Sequence, residues 1–385
     1  MEVEDNTENA SKSVESAAEE SSYRLLNVYV EVRLKQETSI YMYCKRYCIV
    51  EAKKSRERIY QAILKAEFAQ NWKKLKFTGA LAEFSDMIDE VVVCSSSDPD
   101  GAEIQLNKDV LLESSLHFYH LKRSGSETQQ LSSNDETCAS RTWELPCLEF
   151  DHMWENLIFE DNIKNDLLDY VAAMLHISDL GVDTSILRIN RLILLSGLFT
   201  NFYGFEGPPG TGKTSLCKSL AQKLSIQLND RYKRTIFIEI NSHSLFSKWY
   251  SESGKMVLKM FDQIEEISED GRSFVVILID EVESLSMTRK GTMVRNEPMD
   301  SVRVVNALLT QLDRIRRLPN IVLLATSNLN EVIDEAFIDR ADICRWIGKP
   351  SVSAVFHILA SCVEEMQRVY LLLILIPKIL DLFII

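Results

Sequence analysis

The stretch Gly207-Pro-Pro-Gly-Thr-Gly-Lys-Thr214 decides the fold class of this chain. It fits the phosphate-binding loop pattern, in which two glycines separated by four residues precede a lysine and a hydroxyl residue. Glycines let successive backbone N–H groups turn toward phosphate oxygens, where a larger side chain would block the approach. The residues predicted to bind nucleotide are Gly207, Pro208, Pro209, Gly210, Thr211, Gly212, Lys213, Thr214 and Ser215.

Two side chains of this loop are expected to carry most of the chemistry. Lys213 would reach the β- and γ-phosphates of ATP, and the hydroxyl of Thr214 would bind Mg²⁺. The loop leads into a predicted helix, because Leu216, Leu220 and Leu224 fall on one helical face. The positive N-terminal end of that helix favours an anion at the same place. A chance turn with a neighbouring lysine is the alternative, and the helix that follows argues against it.

A second polar site follows a long apolar run. Phe274–Ile279 is typical of a strand that is buried on both faces of a parallel sheet. The run ends in Asp280, predicted to hold Mg²⁺, and Glu281, predicted to polarise the attacking water. Another apolar strand ends near Asn328, whose amide can orient water. Alone, these would be solvated strand ends and a turn residue. The phosphate loop upstream favours catalytic roles.

Composition narrows the class of protein. The chain has 385 residues, 46% hydrophobic and 26% charged, as in ordinary globular domains. A net charge of −14 argues against direct nucleic-acid binding, which needs a basic surface. The scattered cysteines, which form no CxxC pair, indicate a reducing compartment. No membrane partner is expected, because the apolar end of the chain is shorter than the roughly 20 residues that a spanning helix needs.

Composition shifts along the chain predict its domain organisation. Val28–Leu34 alternates apolar and polar residues like a half-buried strand, and 53–72 has the pattern of an amphipathic helix. The predicted segments are a disordered acidic tail at 1–22, an N-terminal α/β domain for substrate or adaptor binding at 23–123, a polar linker at 124–142, the large nucleotide-binding domain at 143–350, and the start of a helical lid with a hydrophobic tail at 351–385.

The strand that should lead into the phosphate loop is ambiguous in the sequence. Arg191–Leu195 reads as a buried strand, but Ser196–Glu206 then separates it from the loop. Either Phe202–Phe205 is the real strand, or an extra segment lies between the strand and the loop. In both cases the alternation of strands and helices from 191 to 350 predicts a doubly wound, parallel α/β fold.

Several motifs resemble one known family. The chain is similar to the AAA+ ATPases in Gly207–Thr214, Ile279–Glu283, Arg303–Asp313, Ala325–Asn328 and Asp334–Arg340. Within them, Asn241–Ser253 resembles the first pore loop of the pachytene checkpoint protein 2 family, also called the thyroid receptor-interacting protein 13 family. The resemblance runs from about Tyr23 to Glu365 and is most specific between 207 and 348.

The resemblance implies a homo-hexameric ring that hydrolyses ATP to remodel HORMA-domain proteins, with an adaptor. It implies action in the nucleus and on chromosomes, and also in the cytoplasm, in meiotic synapsis, recombination and checkpoint control. By position, Arg340 corresponds to the arginine finger, and Trp249, followed by Tyr250, to the pore-loop aromatic. From the residues alone, Arg340 is equally explained by a surface salt bridge, and the two aromatics by an exposed binding surface or a helix-capping contact.

The chain departs from the family after Pro350. A longer helical lid with a sensor 2 arginine is expected there, whereas the sequence turns into a hydrophobic tail. Two hypotheses follow: an ATP-driven remodeller, or a nucleotide-binding interaction protein that joins full-length partners without turnover. A small-molecule kinase is disfavoured by the exposed aromatic loop, and a DNA motor by the charge.

Overall fold

The computed structural model describes residues 28–35, 50–96, 98, 101–111, 115–130, 138–182, 187, 189–197, 210–242, 253–283, 300–328, 333 and 335–368. The strands in chain order are β1 (Val28–Leu34), β2 (Phe68–Gln70), β3 (Ile88–Ser95), β4 (Glu103–Gln105), β5 (Leu116–Tyr119), β6 (Glu127–Gln130), β7 (Cys138–Leu145), β8 (Leu192–Ser196), β9 (Arg234–Asn241), β10 (Ser273–Asp280), β11 (Ile321–Ser327) and β12 (Ile343–Trp346). The helices are α1 (Arg56–Leu64), α2 (Met153–Asn156), α3 (Ile163–Asp179), α4 (Lys213–Gln227), α5 (Ser253–Glu269), α6 (Asp300–Ile315), α7 (Glu335–Ile338) and α8 (Val352–Arg368).

A large sheet dominates the described part of the chain. Its strand order is β12-β8-β11-β10-β9-β7-β6, and the first five of these strands are parallel. Strands β7 and β6 extend it antiparallel, β7 on β9 and β6 on β7. The doubly wound α/β fold predicted from the sequence is confirmed.

Helices cover both faces of this sheet, so its strands are apolar on both sides. Successive residues of a strand point to opposite faces. In β10, Ile277 is buried in the core between the sheet and helices α5 and α6. Its neighbour Val276 is buried on the opposite face, in the core between the sheet and helices α3 and α4. This explains the continuous apolar run that precedes Asp280.

Strand β8 corresponds to one of the two candidates for the strand before the phosphate loop. Leu192–Ser196 pairs with β11 on one side and β12 on the other, in the middle of the parallel strands. It therefore occupies a central place in the parallel sheet, as expected of a strand that precedes a phosphate loop. The competing candidate, Phe202–Phe205, lies outside the described residues.

The predicted linker needs correction. The sequence predicts a linker over 124–142, whereas β6 and the first half of β7 lie there and belong to the large sheet. Edge strands are held mainly by backbone hydrogen bonds to one neighbour, so their side chains can remain polar. The polar composition of 124–142 therefore gives no sign in the sequence that strands β6 and β7 pair there.

A second, smaller sheet lies near the N-terminus, in the order β3-β1-β5. Helix α1 packs on it through Ile59 and Ile63. The helix predicted over 53–72 is shorter than expected, since 68–70 forms β2 and pairs with β4. The half-buried assignment of β1 is also wrong, because Tyr29 and Glu31 are buried as well as the valines. Their side of the strand packs against the core beside α4.

The described chain closes with α8, which leaves several apolar side chains exposed, among them Val352, Phe356 and Leu359. Among the described residues, no helix combines the length and the apolar character needed to cross a membrane. Most of the predicted site residues of the described chain lie elsewhere, at the edge of the large sheet where β8, β10 and β11 end beside the start of α4. In open α/β sheets this carboxyl edge is where ligands bind.

Candidate active site

The phosphate loop enters α4 through two glycines in the left-handed region. Gly210 has φ of 88° and Gly212 has φ of 89°, conformations that a residue with a side chain rarely adopts. A Cβ on Gly212 would also lie 3.2 Å from Cδ2 of Leu157. The backbone therefore requires glycine at 212, as the loop pattern predicts. Gly207, Pro208 and Pro209 lie outside the described residues.

Lys213 begins α4, and its side chain is buried beside the loop. Its Nζ donates a hydrogen bond to Oγ1 of Thr211, at 3.0 Å. Within the described residues, no carboxylate forms a salt bridge with this lysine. Burial lowers the pKa of Lys213, and the charges of Glu283 and Asp280 oppose the shift. A buried cation whose hydrogen-bond partner is neutral favours the approach of an anion.

Thr214 and Asp280 meet across the gap between α4 and the end of β10. The Thr214 hydroxyl donates to Oδ1 of Asp280 at 2.9 Å, and the Thr326 hydroxyl at the end of β11 donates to the same oxygen. Hydroxyl and carboxylate oxygens are the ligands that Mg²⁺ accepts. The two predicted metal ligands therefore fit a magnesium ion by their chemistry and their proximity.

The described residues contain no group of three or more His, Cys, Asp or Glu side chains that could hold a metal by themselves. In phosphate-transfer sites Mg²⁺ usually takes one or two protein oxygens, joined by substrate phosphates and water. A site built from Thr214 and Asp280 would take further ligands from a bound nucleotide and water.

Glu281 sits in an unusual backbone conformation. Its φ is 58°, which costs a residue with a side chain about 1–2 kcal/mol. The conformation is stabilised by its neighbours: the N–H of Glu281 donates to Oγ1 of Thr326 at 3.3 Å, and the N–H of Val282 donates to the Thr326 carbonyl at 3.0 Å. The side chain of Glu281 is exposed at the sheet edge. Strain retained at such a place is typical of functional residues.

Asn328 follows β11 and is held by a residue of the segment that follows β10. Its backbone N–H donates to Oε1 of Glu283 at 3.1 Å. Glu283 itself is buried. The sheet thus brings Asn328 close to the segment that contains Asp280 and Glu281, as expected for neighbouring parallel strands.

Two residues of this site were missed by reasoning from the sequence. Thr326 links Asp280 to the backbone of Glu281, and Glu283 binds the backbone of Asn328. The signals for them are weak: a hydroxyl at the end of the strand beside the carboxylates, and a second acidic residue two positions after Glu281.

Arg340 lies in a different contact network from the residues above. Its Nε and Nη2 donate to the two carboxylate oxygens of Asp313, at 3.0 and 2.8 Å, and its Nη1 donates to the Ala336 carbonyl at 2.5 Å. Asp342, an acidic neighbour of Arg340 in the sequence, accepts from the backbone of Asn190 and Arg191 instead. The arginine-finger assignment stays a prediction. Trp249 and Tyr250 lie outside the described residues.

The chain matches two known protein families over separate ranges. Residues 203–349 match the ATPase family associated with various cellular activities (AAA), and residues 24–121 match the Pch2 N-terminal domain. The first range contains the predicted nucleotide and magnesium ligands, and the second contains β1 to β5.

Individual relatives agree with the family matches. Putative pachytene checkpoint protein 2 of Caenorhabditis elegans is 44% identical over 353 residues, which are 90% of this chain and 79% of that relative. Pachytene checkpoint protein 2 homolog of Danio rerio is 51% identical over 253 residues, 66% of this chain and 57% of that relative. The solved structure of C. elegans PCH-2 has a TM-score of 0.69 at 41% identity, over 90% of this chain and 79% of that one.

Proposed function

The chain belongs to the pachytene checkpoint protein 2 family of AAA ATPases, and from this premise we propose that it binds ATP with Mg²⁺ and uses hydrolysis to remodel HORMA-domain proteins. The proposed setting is meiotic chromosome synapsis, recombination and checkpoint control, in the nucleus and on chromosomes. The names of the relatives support this setting, since they refer to the pachytene checkpoint.

The observation that carries the proposal is the hydrogen bond between Thr214 and Asp280, with Glu281 exposed beside it. Mg²⁺, when bound, would be held by Thr214 and Asp280 and would neutralise charge on the phosphates. Lys213 would bind the phosphate oxygens, and Glu281 would orient and polarise the attacking water. Asn328 would hold that water or the terminal phosphate by its amide.

The remaining parts of the proposal concern the assembly. We infer a homo-hexamer in which Arg340 stabilises the charge at the nucleotide of the neighbouring subunit, held until then against α6 by Asp313. Trp249 and Tyr250 would contact the translocated polypeptide. The N-terminal α/β domain at 23–123 would bind the substrate or its adaptor, because its described residues contain no catalytic constellation.

The test is steady-state ATP hydrolysis by the purified full chain, with and without a HORMA-domain protein. Glu281→Gln should abolish turnover and retain ATP binding, because it removes the carboxylate and leaves the phosphate ligands in place. Glu269→Gln is the matched control, since Glu269 is an exposed carboxylate at the end of α5. Lys213→Ala should weaken nucleotide binding itself.

The outcomes separate the two hypotheses. Turnover that rises with the HORMA-domain protein and vanishes in Glu281→Gln supports the remodeller. Binding of ATP without turnover, abolished by Lys213→Ala, contradicts it and supports a nucleotide-binding interaction protein that acts on full-length partners. Binding that Lys213→Ala leaves unchanged contradicts both.

A further inference from the structure

Glu283 is a buried carboxylate in the site, two residues beyond the proposed catalytic glutamate. After Glu281 the chain turns inward, so that Val282 and Glu283 are both buried. Charged side chains are almost never fully buried without a partner. The contacts of Glu283 therefore indicate which groups its carboxylate stabilises.

One carboxylate oxygen of Glu283 holds the backbone of Asn328. Oε1 accepts the Asn328 N–H at 3.1 Å. A hydrogen bond to an ionised acceptor is stronger than one between neutral groups. Asn328 follows directly on the last residue of β11, where sheet pairing no longer fixes the backbone. This contact thus ties Asn328 to the segment that carries Asp280 and Glu281.

The second carboxylate oxygen of Glu283 makes no comparable contact among the described residues. Oε2 of Glu283 is buried and has no hydrogen-bond partner among the described residues. The charges of Glu283 and Asp280 act to raise the pKa of Lys213, against the effect of burial. Glu283 therefore interacts with two proposed phosphate-site residues, Asn328 by a hydrogen bond and Lys213 by charge.

We propose that Glu283 is a positioning residue that sets the place of Asn328 relative to the terminal phosphate, and thereby the preference of the site for ATP over ADP. The inference rests on the proposed ATPase function. A carboxylate that only supports folding is the competing explanation, and it predicts lower stability with an unchanged preference between the two nucleotides.

The experiment measures Kd for fluorescent ATP and fluorescent ADP on the full chain carrying Glu281→Gln, so that ATP is not consumed. Adding Glu283→Ala removes the acceptor for Asn328 and should lower the ratio of ATP affinity to ADP affinity by roughly tenfold, the usual effect of losing a supporting contact. Adding Glu283→Gln keeps an oxygen acceptor and should preserve most of the ratio. Adding Glu269→Ala is the exposed control.

A second arm tests whether Glu283 acts through Asn328 and remains informative if Glu283→Ala does not fold. Glu283→Asp shortens the side chain and should lower the ratio in the parent, but not in a parent that also carries Asn328→Ala. A ratio that stays constant in every Glu283 variant, while both nucleotides still bind, overturns the inference alone. A parent that binds neither nucleotide overturns the proposed function together with it.

Discussion

Lys213 and Lys223 lie on the same helix, α4, and both are buried. They differ in their partners: Lys223 forms salt bridges with two carboxylates, whereas Lys213 has a neutral hydrogen-bond partner. Nζ of Lys223 lies 2.6 Å from Oε2 of Glu31 and 2.8 Å from Oε1 of Glu155. Nζ of Lys213 donates to a neutral hydroxyl, that of Thr211. The two lysines are ten residues apart, about 15 Å along the helix axis.

The pKa shifts of the two lysines follow from this difference. Burial acts to lower both pKa values. At Lys223 the carboxylates of Glu31 and Glu155 outweigh burial, and the pKa lies well above the ordinary value. At Lys213 burial prevails over the more distant carboxylates, and the pKa is lowered. A buried lysine that is paired with carboxylates stabilises the contact between the segments that carry them. A buried lysine without a carboxylate within salt-bridge distance can instead bind an anion.

Lys223 joins the N-terminal sheet to the nucleotide-binding sheet. Glu31 is on β1, and Trp72 of the same region lies under Lys223, with Nζ 5.1 Å from its ring centroid. Beside them, the Gln222 side chain forms two hydrogen bonds with the backbone of Cys147. Helix α4 therefore has the proposed nucleotide site at its first residue and the contact with the N-terminal sheet near its end.

Lys223→Met should have the largest effect on stability. It leaves Glu31 and Glu155 buried without their cation, which costs about 3–5 kcal/mol. Thermal unfolding followed by circular dichroism should show a clear fall in Tm, and fluorescent-nucleotide Kd measured well below that Tm should be unchanged. Adding Glu31→Gln should restore part of the loss. An unchanged Tm for Lys223→Met would show that this cluster does not hold the two sheets together.

Lys213→Met, the matched substitution at the other end of α4, should reverse the pattern. Loss of a charged hydrogen bond to phosphate weakens ATP binding by about 1.5–3 kcal/mol, roughly ten- to hundredfold in Kd. Tm without nucleotide should stay the same or rise, because a buried and poorly compensated charge is removed. Titration with fluorescent ATP measures the first effect. A fall in Tm as large as that of Lys223→Met would contradict the comparison.

The pH dependence of stability should also arise at the contact with the N-terminal sheet. Burial lowers the pKa of His117 from 6.5 to about 4, although Asp230 opposes the shift. The unfolded chain therefore takes up the proton first, and stability falls as the pH decreases from about 6.5 to about 4. Between pH 7 and pH 5 this amounts to about 2 kcal/mol.

Denaturant unfolding of the full chain at pH 7 and pH 5 checks this expectation. His117→Phe should reduce the loss of stability between these pH values, and the exposed His357→Gln should leave it unchanged. Equal losses in the protein and in His117→Phe would place the titrating groups elsewhere.

The difference between the two ends of α4 also decides what the sequence can predict. The nucleotide end is visible because the loop glycines, Lys213 and Thr214 are consecutive, and because Asp280 follows a long apolar run. Such signals are local and periodic. The other end is not visible, since Lys223 meets Glu31 across 192 positions of sequence. From the alternation of apolar and polar residues in β1, the sequence predicts that Glu31 is exposed. In the structure Glu31 is buried, because this face of β1 packs against α4.

The same limit applies within the site. Thr326 and Glu283 form hydrogen bonds with the backbone N–H groups of Glu281 and Asn328. Every residue except proline has such a group, so the sequence does not indicate which one is bound. The edge strand β6 in the predicted linker was concealed for a related reason, because it pairs through its backbone with one neighbour. What local patterns predicted was the central sheet and the side chains at its carboxyl edge. What they left out depends on contacts between segments far apart in the chain.

Lys218, five residues from each of the two lysines, should show the smallest effect and so sharpens the comparison. It pairs with Glu239 at 2.8 Å, but both side chains are partly exposed, 19% and 13%. Its Nζ also lies 5.5 Å from the ring centroid of Trp143. Lys218→Met keeps the apolar stem over the ring and loses a partly hydrated pair, which costs about 0.5–1 kcal/mol.

Thermal unfolding and fluorescent-ATP binding of Lys218→Met should therefore both stay close to those of the unmodified chain. A double-mutant cycle with Glu239→Gln isolates the pair from the packing of the stem. A coupling energy well under that between Lys223 and Glu31 is expected, because water reaches this pair and screens it. If Lys218→Met instead lowers Tm as much as Lys223→Met, then position on α4, rather than the burial of the compensating carboxylates, is what makes a lysine of this helix structural.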